Sequence, residues 1–185
     1  MEKLGPTRRN KKRKGYMPDF EEIEKKAVIS RASAKSNIAM ADLYNELAKE
    51  MKKGEYIQIF DPNAIMGKNH IFAAYLNSAL SFAEHKNKTK NIGMEMLLFV
   101  SFTDQIEKAI EIAGAKKTGN FILFCSNKMA YDKILSTNLV KCTKYAPTQD
   151  EKSNAMKIIK NDKMDEVDIS RVLLNKMAKL KLNMK

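Results

Sequence analysis

Few side chains in this sequence have the type and spacing that covalent chemistry needs. There are two histidines, His70 and His85, and neither sits in a G-x-S-x-G or similar context. The pairing of a nucleophile with a base that ester or peptide hydrolysis requires is therefore not visible. His85 falls near the end of a helical pattern, where a cation suits the helix dipole. The acidic residues are interleaved with lysines, as on a solvated helix face, and do not cluster with His or Cys as metal ligands would. The run Gly114-Ala115-Lys116-Lys117-Thr118-Gly119 has the composition of a phosphate loop but not its order. A helical pattern also precedes it, where a phosphate loop needs a helix to follow. Glu95 is the one charge in the apolar stretch 93–100. Burial would raise its pKa and suit it to acid–base work; pairing with a lysine or with backbone donors is the plainer reading.

Binding is better supported. Ser101-Phe102-Thr103-Asp104 fits the [ST]-x-x-[DE] capping pattern at the expected end of a strand. A helix starting there presents free N–H groups, which attract phosphate. Thr103 and Gln105 would add side-chain hydrogen bonds, and Lys116, Lys117 and Lys68 would add charge if the fold brings them near. His70 belongs to the same candidate set. Simple helix capping is the competing reading. The candidates for RNA contact are thus Ser101, Thr103, Gln105, Lys116, Lys117, Lys68 and His70.

The elements that must position these residues alternate. Strand patterns are expected at 26–32, 56–60, 94–100, 121–125 and 139–143. Helical patterns are expected at 39–52, 70–85, 102–113, 128–135, 150–160 and 165–182. The stretch 94–100 is almost continuously apolar, as in a strand covered on both faces. With the helix and strand that follow, it reads as a β-α-β unit with a right-handed crossover. The 70–85 helix is apolar on two sides, through Phe72, Leu76 and Leu80 and through Ile71, Tyr75 and Phe82, so it is either sandwiched in the core or docks a partner. In the last helix Ile169, Leu173, Met177, Leu180 and Met184 share one stripe, with Lys176, Lys179 and Lys181 on another side. Such a helix closes a core or offers a docking face. The fold class expected is α/β: one mixed-sheet domain over residues 21–185 with its C-terminal helices packed on it.

The chain has 185 residues, 44% apolar and 30% charged, with a net charge of +12. That charge favours a polyanionic partner, nucleic acid or an anionic surface. It is uneven: Lys3, Arg8, Arg9, Lys11, Lys12, Arg13 and Lys14 face only Glu2, so half of the +12 lies in the first 14 residues. Residues 1–20, poor in apolar side chains, read as a basic arm disordered when free. Its roles would be phosphate contact, localisation or mere solvation. Cys125 and Cys142 are isolated, which speaks against a disulfide framework or a zinc site. No apolar run reaches the roughly 18 residues of a membrane span, and no signal peptide is evident. A cytoplasmic protein without cofactor is expected.

Several segments together resemble one family. Asp61-Pro62-Asn63-Ala64-Ile65 followed by His70-Ile71-Phe72-Ala73-Ala74-Tyr75-Leu76-Asn77-Ser78-Ala79 is similar to a turn and helix of the small regulatory subunit of the KEOPS complex, the PRPK-binding protein family. Met94 to Ser101, then Gln105-Ile106, Ala109-Ile110 and Gly114, resemble its central unit, and 172–182 its last helix. The likeness runs from about Tyr56 to Leu182, carried by the order and spacing of several motifs. Two departures stand out: the basic arm, and Val100-Ser101-Phe102 where archaeal members often have Ala-Ser-Gly.

The resemblance implies a non-catalytic subunit that binds and stimulates a PRPK-type kinase-like ATPase. It implies recruitment of tRNA by the single-stranded 3′ CCA end. The associated Kae-type transferase installs threonylcarbamoyladenosine in tRNAs reading codons that begin with A. The expected kinase-facing residues are Ile169, Leu173, Met177 and Leu180. A basic RNA-binding module without KEOPS partners is the rival, and an enzyme using Glu95 the more distant one.

Overall fold

The computed structural model describes residues 20–116, 119–159 and 169–183. The basic stretch before Phe20 and Lys117 lie outside them. Four strands, β1 (Val28–Ala34), β2 (Ile57–Phe60), β3 (Asn120–Cys125) and β4 (Val140–Lys144), form one sheet in the order β2-β3-β1-β4. Every neighbouring pair is antiparallel: Arg31 stands opposite Ile122 on one side and Thr143 on the other, and Ile59 opposite Leu123.

Central β3 is apolar on both sides because both are covered. Phe121, Leu123 and Cys125 pack with Leu43 and Leu47 of α2 (Met40–Lys49) and Ala130 and Ile134 of α6 (Lys128–Ser136). Ile122 and Phe124 enter the other core, with α1 (Phe20–Lys26) and α3 (Lys68–Ala83). β1-α2-β2 and β3-α6-β4 are split β-α-β units whose strands interleave. The long connection from β2 to β3 supplies the helices that bury the second face.

The expected strand at 94–100 is instead α4 (Ile92–Ser101). Nine of its ten residues are buried, so it is apolar all round. Periodicity cannot separate such a helix from a covered strand. Asn91 settles the local choice: its side chain accepts from the Met94 N–H at 2.7 Å, as a helix N-cap does. With α4 outside the sheet, the expected β-α-β crossover is not formed, and the sheet is antiparallel rather than mixed. The next helix, α5 (Ile106–Ala113), starts four residues later than expected. α4 lies directly against β2. A Cβ on Gly93 would stand 2.6 Å from the Ile57 carbonyl oxygen, and the Gln58 side chain donates to the Gly93 carbonyl at 2.6 Å.

Two helices close the structure. α7 (Gln149–Ile159) is fastened to the sheet by Glu151, which takes both guanidinium arms of Arg31 at 2.8 and 2.7 Å. Arg31 also donates to the Ala146 carbonyl at 2.9 Å. The pairing holds the Glu151 carboxyl below its usual range. α8 (Ile169–Asn183) packs on α3, with Met177 fully buried and Asn77 donating to its sulfur at 3.8 Å. Among the described residues no helix is long and apolar enough to cross a membrane.

Candidate functional site at the turn between α4 and α5

α4 does not end in a cap for the next helix. The Ser101 hydroxyl donates back to the Leu97 carbonyl at 2.6 Å, and the residue is buried in the last turn of α4. Ser101 is therefore neither an N-cap nor a surface group. Phe102 takes the left-handed conformation, φ 54° and ψ 35°. The Thr103 N–H then donates to the Leu98 carbonyl at 3.2 Å, the closing bond of a Schellman turn. That position usually holds glycine, because a Cβ crowds the backbone there.

The phenylalanine has a compensating contact. Its ring lies parallel to the His70 imidazole, 8° between planes and 5.5 Å between centroids. The Lys176 ammonium stands 5.7 Å from the same ring, within cation–π range. The first turns of α3, the α4–α5 turn and α8 thus converge on one side chain.

His70 is the buried floor of this cluster, 2% exposed. Its Nδ1 accepts from the Met66 N–H at 3.4 Å, which leaves the proton on Nε2. Burial lowers its pKa to about 4, and the Val100 carbonyl opposes this only in part. Nε2 makes no hydrogen bond of full geometry. At neutral pH the ring is uncharged, and its burial sets His70 apart from the exposed groups expected beside it.

Thr103 is half-buried and Gln105 exposed. The Gln105 N–H donates to Thr103 Oγ1 at 3.3 Å. Gln105 holds the N-cap position of α5 without a side-chain cap. An open cleft of about 960 Å³ adjoins it, lined among others by Ile106, Lys108, Asp104, Glu107 and Glu111. Those carboxylates make the mouth of α5 a poorer phosphate site than its helix dipole alone would suggest.

Lys68 is exposed on the first residue of α3, two positions before His70. Lys116 lies past the other end of α5 and donates to the Glu111 carbonyl. Eight helical residues span roughly 12 Å, so Lys116 does not join Thr103 and Gln105.

Glu95 is a brace. Its carboxylate accepts from the Thr89 N–H at 3.0 Å, the Thr89 hydroxyl at 2.8 Å and the Lys88 N–H at 3.2 Å. Lys88 in turn pairs with Asp104 at 2.6 Å, tying the loop before α4 to the turn after it.

The expected docking stripe on α8 also changes. Met177 is fully buried and Leu180 half-buried against the core shared with α3, so the stripe turns inward there to close the fold. The side chains of Ile169 and Leu173 lie outside the described residues. Leu182, which sequence reasoning did not single out, is 79% exposed at the end of α8, and Ile106 and Ile110 on α5, part of the family resemblance, are 41% and 45% exposed. The sequence departs from the family at Phe102, where archaeal members often have glycine, and it is there that α4 ends in its left-handed turn.

The family model of the kinase binding protein CGI-121 matches residues 28–185, from the first residue of β1 onward. The chain belongs to that family, the PRPK-binding KEOPS subunit family that its motifs resemble. No curated protein matches it.

Proposed function

We propose that this chain is a non-catalytic KEOPS subunit. It binds and stimulates the PRPK-type kinase-like ATPase and recruits tRNA by its 3′ CCA end for threonylcarbamoyladenosine formation by the Kae-type transferase. The observation that carries this reading is the match to the kinase-binding family across all four strands. The charge of +12 supports the tRNA part, since a polyanion gains from a basic partner. We place the complex in the cytoplasm and the protein in one domain over residues 21–185.

The kinase-like subunit meets α8, through Ile169 and Leu173 and through Leu182, which is exposed where Met177 and Leu180 are not. The RNA end meets the surface around Thr103 and Gln105, with Lys68 adding charge there and the lysines 116 and 117, past the other end of α5, contacting phosphates farther along the strand. The phosphates of a single-stranded end seek cations; Lys176, over the Phe102 ring, is a cation at this turn.

Titration calorimetry of the full chain against the purified kinase-like subunit tests the first half. Leu182→Asp is expected to weaken the complex at least tenfold with the thermal midpoint unchanged. Unaltered affinity in that variant, or no complex with the wild type, contradicts the assignment. For the second half, a tRNA with and without its 3′ CCA is compared at two salt concentrations. A loss on trimming that survives the higher salt supports an end grip. Equal binding that falls steeply with salt supports instead a basic RNA-binding module without KEOPS partners.

A further inference from the structure

One cleft lies well away from the α4–α5 turn. It holds about 520 Å³ and opens between α1, the second half of α3, and the place where β2 begins and β3 ends. Phe82, in its lining, is twelve residues along α3 from His70, roughly 18 Å at helical rise. Ile92, also in its lining, starts α4, whereas Phe102 ends that helix. The cleft is therefore at the opposite end of the α3–α4 pair from the turn. Part of its wall, Glu22, Ile23 and Lys26, comes from α1, which precedes the residues matched by the family model.

A cleft of this volume suits a small organic ligand. Much of the lining is aromatic or aliphatic: Ile23, Tyr56, Tyr75, Phe82 and Ile92. Three hydrogen-bond donors are set among these side chains. Tyr75 is 9% exposed, its ring 5.0 Å from that of Phe124 and 6.3 Å from that of Tyr56 between centroids. Among the described residues its hydroxyl has no hydrogen-bond partner. Burial pushes its pKa up to about 12, so at neutral pH the group keeps its proton and can donate it. Ser126, 8% exposed, accepts from the Tyr56 N–H at 2.9 Å, which leaves its own O–H to give. Asn127 caps α6 with its carboxamide oxygen, accepting from the Ala130 N–H at 2.8 Å, which leaves its NH2 group to give.

A buried donor without an acceptor costs free energy, and a ligand that accepts from it recovers that cost. A hydrocarbon ring would fill the apolar part of the cleft and leave the donors unpaired. A flat heteroaromatic ring, apolar on its faces and carrying acceptor nitrogens in its edge, meets both parts of the lining. We infer that this cleft binds a free heteroaromatic molecule of nucleoside size, its ring among the aromatic side chains and its ring nitrogens accepting from Tyr75, Ser126 and Asn127. The inference does not rest on the KEOPS reading, and its failure would leave that reading standing.

The test titrates the full chain with adenosine as the probe and follows the backbone amide NMR signals. Saturable shifts centred on Ile23, Ala79, Ile92 and Asn127 are expected, with none at Thr103 and Gln105. Tyr75→Phe keeps the ring and removes only the hydroxyl. It should weaken adenosine roughly fivefold, as loss of one hydrogen bond does, with the thermal midpoint not lowered. Ala83→Phe, made at an exposed position in the lining, should fill the cleft and block binding. No saturable shift in the wild type overturns the inference, and so does undiminished affinity in either variant. A single-stranded oligoadenylate titrated in parallel separates a free ligand from a base within a strand. It is expected to bind these amides no more tightly than adenosine does; tighter binding there would overturn the inference in favour of a nucleic acid.

Discussion

Phe102 offers a quantitative test of the turn that organises the site. At φ 54° an ordinary side chain costs about 1 kcal/mol relative to glycine. Its ring recovers more than that by packing on His70 and beneath Lys176. Phe102→Ala removes the ring but keeps the Cβ, so it loses the packing and retains the strain. A fully buried phenylalanine cut to alanine costs about 3–5 kcal/mol; this one is half-buried, so about 2 kcal/mol is expected. Phe102→Gly loses the same packing but relieves the strain. The glycine variant should therefore be the more stable of the two by about 1 kcal/mol, or some 2–4 °C in midpoint for a chain of this size. Urea unfolding of the three proteins reads this directly. An alanine variant as stable as the glycine variant would refute the left-handed turn, and a wild type less stable than the glycine variant would refute the compensating contact.

Other expectations follow from named contacts. Burial lowers the His70 pKa from 6.5 to about 4, so the folded state takes up its proton later than the unfolded one. The resulting stability is full above pH 6.5 and lost as pH falls from 6.5 to 4, by about 3 kcal/mol. Imidazole NMR signals should show His70 neutral at pH 5.5, and a protonated ring there would contradict its burial. Glu151→Gln breaks a shielded, two-armed pair with Arg31, and its cost should be about 2 kcal/mol. Because the Glu151 pKa is lowered, this contribution is present above the ordinary carboxylate range and fades as pH falls below it, so the two proteins should converge in acid. Gly93→Ala sets a Cβ against the Ile57 carbonyl and should cost at least 2 kcal/mol by thermal unfolding, whereas an alanine accepted without loss would show that α4 and β2 are farther apart.

Much of the fold was legible because its signals are local. The β2 strand ends at Asp61-Pro62 as expected, where the Asp61 side chain accepts from the Asn63 N–H at 2.9 Å and opens a 3-10 turn. α2, α3, α6 and α7 lie within a few residues of their periodic patterns. The miss at α4 has one cause. A helix buried on every side carries no amphipathic stripe, and its run of Met, Leu, Phe and Val looks like a covered strand. That error displaced the capping assignment as well, because Ser101 was read as the start of one helix when it ends another. The site suffered for a second reason. Whether His70 faces water or the ring of Phe102, 32 residues away in sequence, depends on a tertiary contact that spacing does not encode. Likewise the α8 stripe was visible, but not which of its residues would close the core and which would stay outside.

The most direct measurement is ATP hydrolysis by the purified kinase-like subunit, alone, with this protein, and with this protein plus tRNA, intact or trimmed of its 3′ CCA. The account predicts faster hydrolysis on adding the protein and a further rise with intact tRNA that trimming removes. Hydrolysis unchanged by the protein, with no complex detectable between the two, would contradict it.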